Sequence, residues 1–158
     1  MTRINSLVET AELEKAVAVL SPEESHHLAR VLRVRPGQAI TLFDGVGGVA
    51  EAVVETAGKG CVQARVTHRR RVPPPAAQID LIQALPKPDR WEWVLQKAVE
   101  LGAANIYPVM TARTETKPSA KKMQRWQRIV LNAAQQCEVR WLPKLHPVQD
   151  FADMPPRL

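Results

Sequence analysis

The apolar pattern is most informative between Ile79 and Met110, in the stretch IDLIQALPKPDRWEWVLQKAVELGAANIYPVM. Ile79 to Leu85 is a short apolar run with β-branched content, stopped by Pro86 and Pro88, and predicts a strand. Asp89 is placed to cap a helix, with Glu92 three residues on to complete a capping box. Trp91, Val94, Leu95, Ala98 and Leu101 recur at helical spacing and predict one buried face. Gly102 stands where a left-handed residue ends a helix. Ala104 to Met110 predicts a second buried strand. Two strands joined by a helix form a βαβ unit, whose strands run parallel. The helix's other face carries Gln96, Lys97 and Glu100. Spacing alone favours a solvated face with an i,i+3 Lys–Glu pair there; a site at a strand edge is the alternative.

Upstream, Ala16 to Leu20 predicts a short strand. Ser21-Pro22-Glu23-Glu24 supplies an N-cap, a proline at the first helical position and Glu at N3, so a helix is expected from there to about Val34. Leu28, Val31 and Leu32 are expected to face inward. His26, Arg30 and Arg33, at i, i+4 and i+7, form a stripe on another face that is either solvated or in contact with an anion. Pro36-Gly37 and Asp44-Gly45 predict turns around a strand from Ala39 to Phe43. Val49 to Thr56 and Cys61 to His68 follow as strands, joined by the tight turn Gly58-Lys59-Gly60. Three strands with short glycine-containing turns make an antiparallel meander, and a helix before it suggests a small β-barrel domain. Arg65 lies in the last strand, and Arg69, Arg70 and Arg71 end it. Val72-Pro73-Pro74-Pro75 stiffens the chain and marks a linker, so the domains are expected at 1–72 and 73–158.

Downstream, Ser119 can cap a long helix in which Met123, Trp126, Val130, Ala133 and Cys137 form a buried stripe. Lys121, Arg125, Arg128 and Asn132 form the opposite one. Pro143 to Val148 predicts another short strand, and the tail FADMPPRL begins as a helix and stops at two prolines.

Charge changes this picture most. The 158-residue chain has a formal net charge of +6, which suits an anionic partner. Arg113 to Arg128 holds six basic residues against one acid, Glu115. Together with Arg65 to Arg71 this favours a phosphate-contacting surface over a merely solvated helix face. Two distant cysteines, Cys61 and Cys137, with no CxxC and no clustered histidines indicate neither a zinc site nor a disulfide framework. The amino terminus has no apolar core of a signal peptide, and no apolar run reaches membrane-spanning length, so a cytoplasmic protein with no membrane partner is expected. GxGxxG, Walker A, HExxH and GxSxG are all absent, and no catalytic triad suggests itself. The last glycine is Gly102. No glycine-rich loop of the kind that wraps a nucleotide follows either of the two later strand candidates.

Several stretches, taken in order, resemble a known family. They are His26-His27-Leu28 with Val31-Leu32-Arg33, then Leu42-Phe43-Asp44-Gly45 and Gln83-Ala84-Leu85-Pro86-Lys87. Gln96-Lys97 with Glu100-Leu101-Gly102 follows, then Ile106 with Pro108, and Ala133-Ala134 with Gln136 and Pro143. In this spacing they resemble ribosomal RNA small subunit methyltransferase E, from about residue 3 to about residue 148. The resemblance implies S-adenosylmethionine-dependent methylation of uridine N3 in 16S rRNA. It also implies an N-terminal PUA-like RNA-binding barrel followed by the first part of a SPOUT-type α/β domain. The implied partners are 16S rRNA or the small ribosomal subunit, with a homodimer in the full-length family. His26, Arg30 and Arg33 fall in the segment that resembles the RNA-contacting region. With Arg3, Arg69, Arg70, Lys121, Arg125 and Arg128 they make up the expected RNA-binding set. Lys87, Gln96, Lys97, Glu100 and Arg113 match positions in the first half of the SPOUT domain and are the candidates near the catalytic site.

Two departures from the family pattern stand out. Cys137 is followed by Glu138-Val139 where Gly-Arg is common, with Arg140 displaced. Family members also continue for roughly another eighty residues, about half a typical domain. That part carries the knot and the cofactor loops, so the S-adenosylmethionine pocket is expected beyond Leu158, with no cofactor-binding or metal residues in this chain. The competing expectation is a non-catalytic basic RNA-binding protein. A DNA-binding protein is less consistent still, since there is no helix-turn-helix spacing.

Overall fold

A computed structural model describes residues 4–58, 60–114 and 118–154. The chain divides into two compact units, Met1–Pro74 and Pro75–Leu158. Arg3, the central Lys59 of the predicted tight turn, Glu115, Lys117 and the end of the tail lie outside the described residues.

The first unit contains β1 (Asn5–Leu7), α1 (Thr10–Leu13), β2 (Val17–Val19), α2 (Pro22–His26), a π-helical turn (His27–Val31), β3 (Ala39–Phe43), β4 (Gly48–Gly58) and β5 (Cys61–Arg71). Its five strands lie in the order β1-β3-β4-β5-β2. The β3-β4-β5 meander is antiparallel, as its alternating pattern predicts, and extends past the predicted ends to Gly58 and Arg71. β1, which has no pattern of its own, runs parallel to β3. Register shifts at Glu51/Ala52 and Val54/Thr56 bend the long β4-β5 pair. One face of the sheet builds a core with Leu28, Leu42, Ala50, Val54, Val62 and Ala64. Asp44 ties the β3–β4 turn by accepting from Val46 N (2.9 Å) and Gly48 N (2.8 Å). A Cβ on Gly48 would stand 2.4 Å from Asp44 Oδ2 and 2.9 Å from Leu13 Cδ1, so any larger residue would have to displace those side chains.

The helix expected from Ser21 to Val34 differs in its second half. Ser21 does cap it, accepting from Glu24 N at 3.3 Å, but the Glu24 side chain takes the Ser6 hydroxyl instead of closing a capping box. From His27 the helix widens into i→i+5 bonding, with Leu32 N donating to His27 O at 3.1 Å. The wider turn shifts the phase of every following side chain. Leu28 is buried, but Val31 and Leu32, expected inside, are 62% and 42% exposed. Arg33 then takes a left-handed φ of 52°, and the chain leaves the helix three residues early.

The second unit contains β6 (Asp80–Ala84), α3 (Pro88–Glu100), β7 (Asn105–Met110), α4 (Ala120–Gln136), β8 (Lys144–Leu145), β9 (Gln149–Asp150) and a 3₁₀ turn (Phe151–Asp153). β6, β7 and β8 are parallel neighbours in that order, and β9 also pairs parallel with β7. Of the strand predicted from Pro143 to Val148 only Lys144–Leu145 is paired, as β8, and β9 follows just beyond it. α3 and α4 share a core in which Trp91 meets Trp126 edge to face, with ring centroids 5.4 Å apart. Gly102 holds the left-handed conformation that ends α3, at φ 78°.

Three details depart from the helical pattern. Pro88 starts α3 with Lys87 as N-cap, so Asp89 is inside the first turn and no side chain caps it. Leu101 is 79% exposed because the helix stops before it, and Val99 fills the buried position instead. Cys137 is exposed at the end of α4, and Ala134 is buried in its stead.

Candidate functional site

Parallel strands with helical crossovers place their βα connections at the carboxyl ends of the strands, where open α/β sheets bind ligands. In the second unit those connections are Leu85-Pro86-Lys87, after β6, and the segment that begins at Thr111, after β7. Together with the first turns of α3 and α4 they line a cleft of about 720 Å³. Its wall contains Lys87, Arg113, Lys122 and Arg125, opposed by Asp89 and Glu92, with Trp91 and Trp126 also part of the lining. These two connections, far apart in sequence, line one cleft.

Arg125 crosses from α4 to α3 and grips Glu92 with two prongs, Nε to Oε1 at 2.6 Å and Nη2 to Oε2 at 2.9 Å. The Glu92 carboxylate holds the Arg125 guanidinium above its ordinary pKa, first through the hydrogen bond and then through its charge. Lys87, Arg113 and Lys122 have no ion pair among the described residues. The cleft therefore keeps a surplus of positive charge. Trp91 is 1% exposed, yet its Nε1 has no hydrogen-bond partner among the described residues. Leaving a buried N–H unmatched costs about 1–3 kcal/mol.

The expected catalytic candidates separate. Lys87 and Arg113 reach the cleft. Gln96, Lys97 and Glu100 lie farther along α3 and do not line it. Lys97 and Glu100 pair with each other, the solvated i,i+3 arrangement that spacing alone favours. The expected RNA-binding residues also separate. Arg125 lines the cleft, while Lys121 and Arg128 are exposed on α4 outside it. In the first unit His26, Arg30 and Arg33 are all exposed around the π-helical turn; the turn breaks the straight helical stripe their spacing suggests. Arg70 is exposed. Arg69 has a task within the fold. Its guanidinium donates to the carbonyls of Leu13 (2.6 Å), Glu14 (3.3 Å) and Lys15 (2.7 Å), fastening the end of α1. Asp89, Glu92 and Lys122 belong to the cleft without having been singled out for it, and Trp91 was read only as core. No metal-holding cluster of three or more His, Cys, Asp or Glu occurs among the described residues. Nor is any described helix long and apolar enough to cross a membrane.

Two family descriptions match the chain: an RNA methyltransferase PUA domain over residues 20–67 and an RNA methyltransferase domain over residues 73–157. The second alone covers more than half of the sequence. This chain belongs to the RNA methyltransferase family. Among named relatives, ribosomal RNA small subunit methyltransferase E of Synechocystis is 37% identical over 139 residues, covering 87% of this chain and 45% of the relative. The Mycobacterium bovis protein of the same name is 39% identical over 140 residues, covering 86% of this chain and 53% of its own. The chain thus spans about half the length of the curated relatives it matches. Two solved structures share its fold with a TM-score of 0.86. One is ribosomal RNA small subunit methyltransferase E from Neisseria gonorrhoeae bound to S-adenosyl methionine, 32% identical, with 98% of this chain and 66% of that one covered. The other is a Legionella pneumophila protein in complex with bound SAM, 34% identical, with 94% and 64% covered. The fold is accordingly a PUA-like domain followed by a methyltransferase α/β domain.

The cofactor held by those two relatives does not fit the basic cleft. S-adenosylmethionine carries a sulfonium and an ammonium against one carboxylate, and a wall of unpaired lysine and arginine repels that net positive charge. Close backbone approach to such a ligand usually needs glycine, and none lines this cleft. An anionic ligand suits it far better.

Proposed function

We propose that this chain carries the RNA-binding domain and the first part of the catalytic domain of an S-adenosylmethionine-dependent methyltransferase acting on N3 of a uridine in 16S rRNA. The observation that carries the reading is the match of both halves, in order, to the two domains of an RNA methyltransferase. The basic cleft at the carboxyl ends of β6 and β7 supports it chemically. Uracil N3 lies on the Watson–Crick edge and bears a weakly acidic proton, so the base must be unpaired before it reacts. Loss of that proton leaves negative charge shared over O2, N3 and O4. Lys87 and Arg113, unpaired in the cleft, are suited to stabilise such an anion. S-adenosylmethionine supplies the methyl group and is held outside this cleft. The same reading includes a homodimer and a cytoplasmic ribosomal substrate.

The test uses the full-length protein that carries this chain, small ribosomal subunits and S-adenosylmethionine labelled in its methyl group. Digestion of the RNA to nucleosides should yield labelled 3-methyluridine, and Lys87→Ala and Arg113→Ala should each slow its formation by at least tenfold. Label in another nucleoside would replace the proposed substrate atom. No label in RNA at all would leave the basic RNA-binding protein as the better reading.

A further inference from the structure

We propose that the π-helical turn of the first unit reads unpaired RNA, with the apolar side chains of Val31 and Leu32 lying against exposed base faces while Arg30, Arg33 and Arg35 hold the phosphates around them. This deepens the reading above and rests on it for the kind of nucleic acid; the new element is selection of an unpaired strand over a duplex. Three departures from an ordinary helix fall within His27–Arg33. The i→i+5 bonding is the first, and such turns concentrate at functional sites. The second is that Val31 and Leu32 face outward, 62% and 42% exposed, so the fold gives up the burial of two apolar side chains. Arg33 is the third. Its φ of 52° is left-handed, a conformation that glycine adopts freely and arginine only against a steric penalty. The Arg33 side chain is exposed and makes no hydrogen bond or ion pair among the described residues, so nothing described within the unit offsets that strain.

The charge around the apolar pair has one sign. From Ser25 to Phe43 the chain has three arginines, two histidines and no acid. Glu24, the acid just before, is buried and accepts from Ser6. Arg30 and Arg35, like Arg33, are exposed with no ion pair among the described residues. Two exposed apolar side chains set between arginines suit a ligand with flat apolar faces and a regularly charged backbone. An unpaired RNA strand is such a ligand, because its bases are free to lie on side chains and on guanidinium planes. A duplex is not: its base faces are stacked away, and its major groove is too deep and narrow for side chains to read. It would meet the arginines and leave Val31 and Leu32 facing ribose and water. A preference for unpaired strands fits a substrate base that has to leave its pair before it reacts.

The experiment measures binding of the full-length protein that carries this chain to a uridine-rich single strand and to an RNA duplex of the same length, each across a range of salt. Val31→Ser combined with Leu32→Ser should weaken single-strand binding by about tenfold while leaving its salt slope and the duplex affinity unchanged. Arg33→Gly removes one charge and the backbone strain together. It should lower the salt slope on both RNAs by about one unit, while the first unit melts no earlier than wild type. An Arg33 that serves only the fold would give a Gly variant that melts early and binds as before, and that result would overturn its role. Unchanged single-strand affinity in the double serine variant, or an equal loss on the duplex, would overturn the apolar contact. A double serine variant that changes the oligomeric state in sedimentation while binding RNA normally would assign the face to a second copy of the chain and overturn the proposal. Should the two serines together prevent folding, Val31→Thr and Leu32→Gln are measured singly, each with a smaller loss expected on the single strand alone. If full-length protein makes 3-methyluridine while the serine variant binds single strands as wild type does, only this inference fails. If single-strand selection depends on Val31 and Leu32 and no methylation is found, only the proposed activity does.

Discussion

Arg69 and Arg70 are neighbours in one arginine run, and the fold gives them different work. Replacing Arg69 by alanine removes donors to three carbonyls at the end of α1, at 2.6, 3.3 and 2.7 Å. Hydrogen bonds from a charged group contribute roughly 1.5–3 kcal/mol each when well buried. Here the side chain is exposed and the released carbonyls regain water, so the net loss is set at about 1 kcal/mol. For a domain of this size that lowers the unfolding midpoint by roughly 4–8 °C. Arg70→Ala, at an exposed position opposite Val49 in the ladder, should change stability by no more than about 0.5 kcal/mol. Thermal unfolding of residues 1–74, watched by far-ultraviolet circular dichroism within the whole chain, measures the first quantity. The same melt reads the Arg70→Ala change, and salt-dependent binding to an rRNA fragment reads the RNA contact of each variant. Arg69→Ala should melt early and bind nearly as wild type once folded; Arg70→Ala should melt normally and bind more weakly. Arg69→Lys separates charge from geometry, because lysine keeps the charge but loses the fork that spans the carbonyls. It should still melt early. An Arg69→Ala chain with an unchanged midpoint and lost RNA affinity would refute this division of labour.

Three further outcomes are expected. Arg30→Ala and Arg33→Ala should each weaken rRNA-fragment binding and reduce the steepness of its salt dependence by about one unit, as for loss of one phosphate contact; unchanged slopes in both would remove the π-helical turn from the RNA surface. Limited proteolysis with thermolysin should cut within Pro73–Ile79, which is exposed and lies outside any strand, whereas trypsin should spare Arg69 to Arg71 because they are paired in β5. Cutting inside Leu81 to Gly102 with the linker intact would count against a boundary there. Calorimetric titration of the 158-residue chain with S-adenosylmethionine should give no micromolar one-to-one binding; such binding would show that a cationic wall does not exclude the donor.

The fold was legible wherever a local period decided it. The β3-β4-β5 meander follows from alternation and turn glycines, and the β6-α3-β7 unit from an apolar run, a helical face and Gly102. What escaped was decided by tertiary partners or by a change of helix type. β1 has three residues and exists because β3 offers a parallel edge. Val31 and Leu32 fit an α-helical phase, and one i→i+5 turn moves them to the surface. Glu24 occupies a capping-box position, yet Ser6, distant in sequence, takes its carboxylate; the N-cap of α3 is Lys87, two residues before the expected Asp89, so Glu92 falls outside a box and pairs with Arg125 instead.

The site was legible by chemistry and not by arrangement. Basic residues can be counted in a sequence, but a count does not separate Arg113, which faces the cleft, from Arg69, which holds α1. That separation depends on which carbonyl or carboxylate lies within reach, and those groups come from elsewhere in the chain. Lys87 and Arg113 belong to different βα connections and meet only because β6 and β7 are parallel neighbours. Trp91 is the sharpest instance. Its spacing with Leu95 and Ala98 marks it as core, and its ring is core, packed edge to face on Trp126. The same burial that hides the ring leaves its N–H without water and without a partner among the described residues. A helical period reports where a side chain points. Only the inventory of donors and acceptors around it shows that one atom of that side chain is still unmatched.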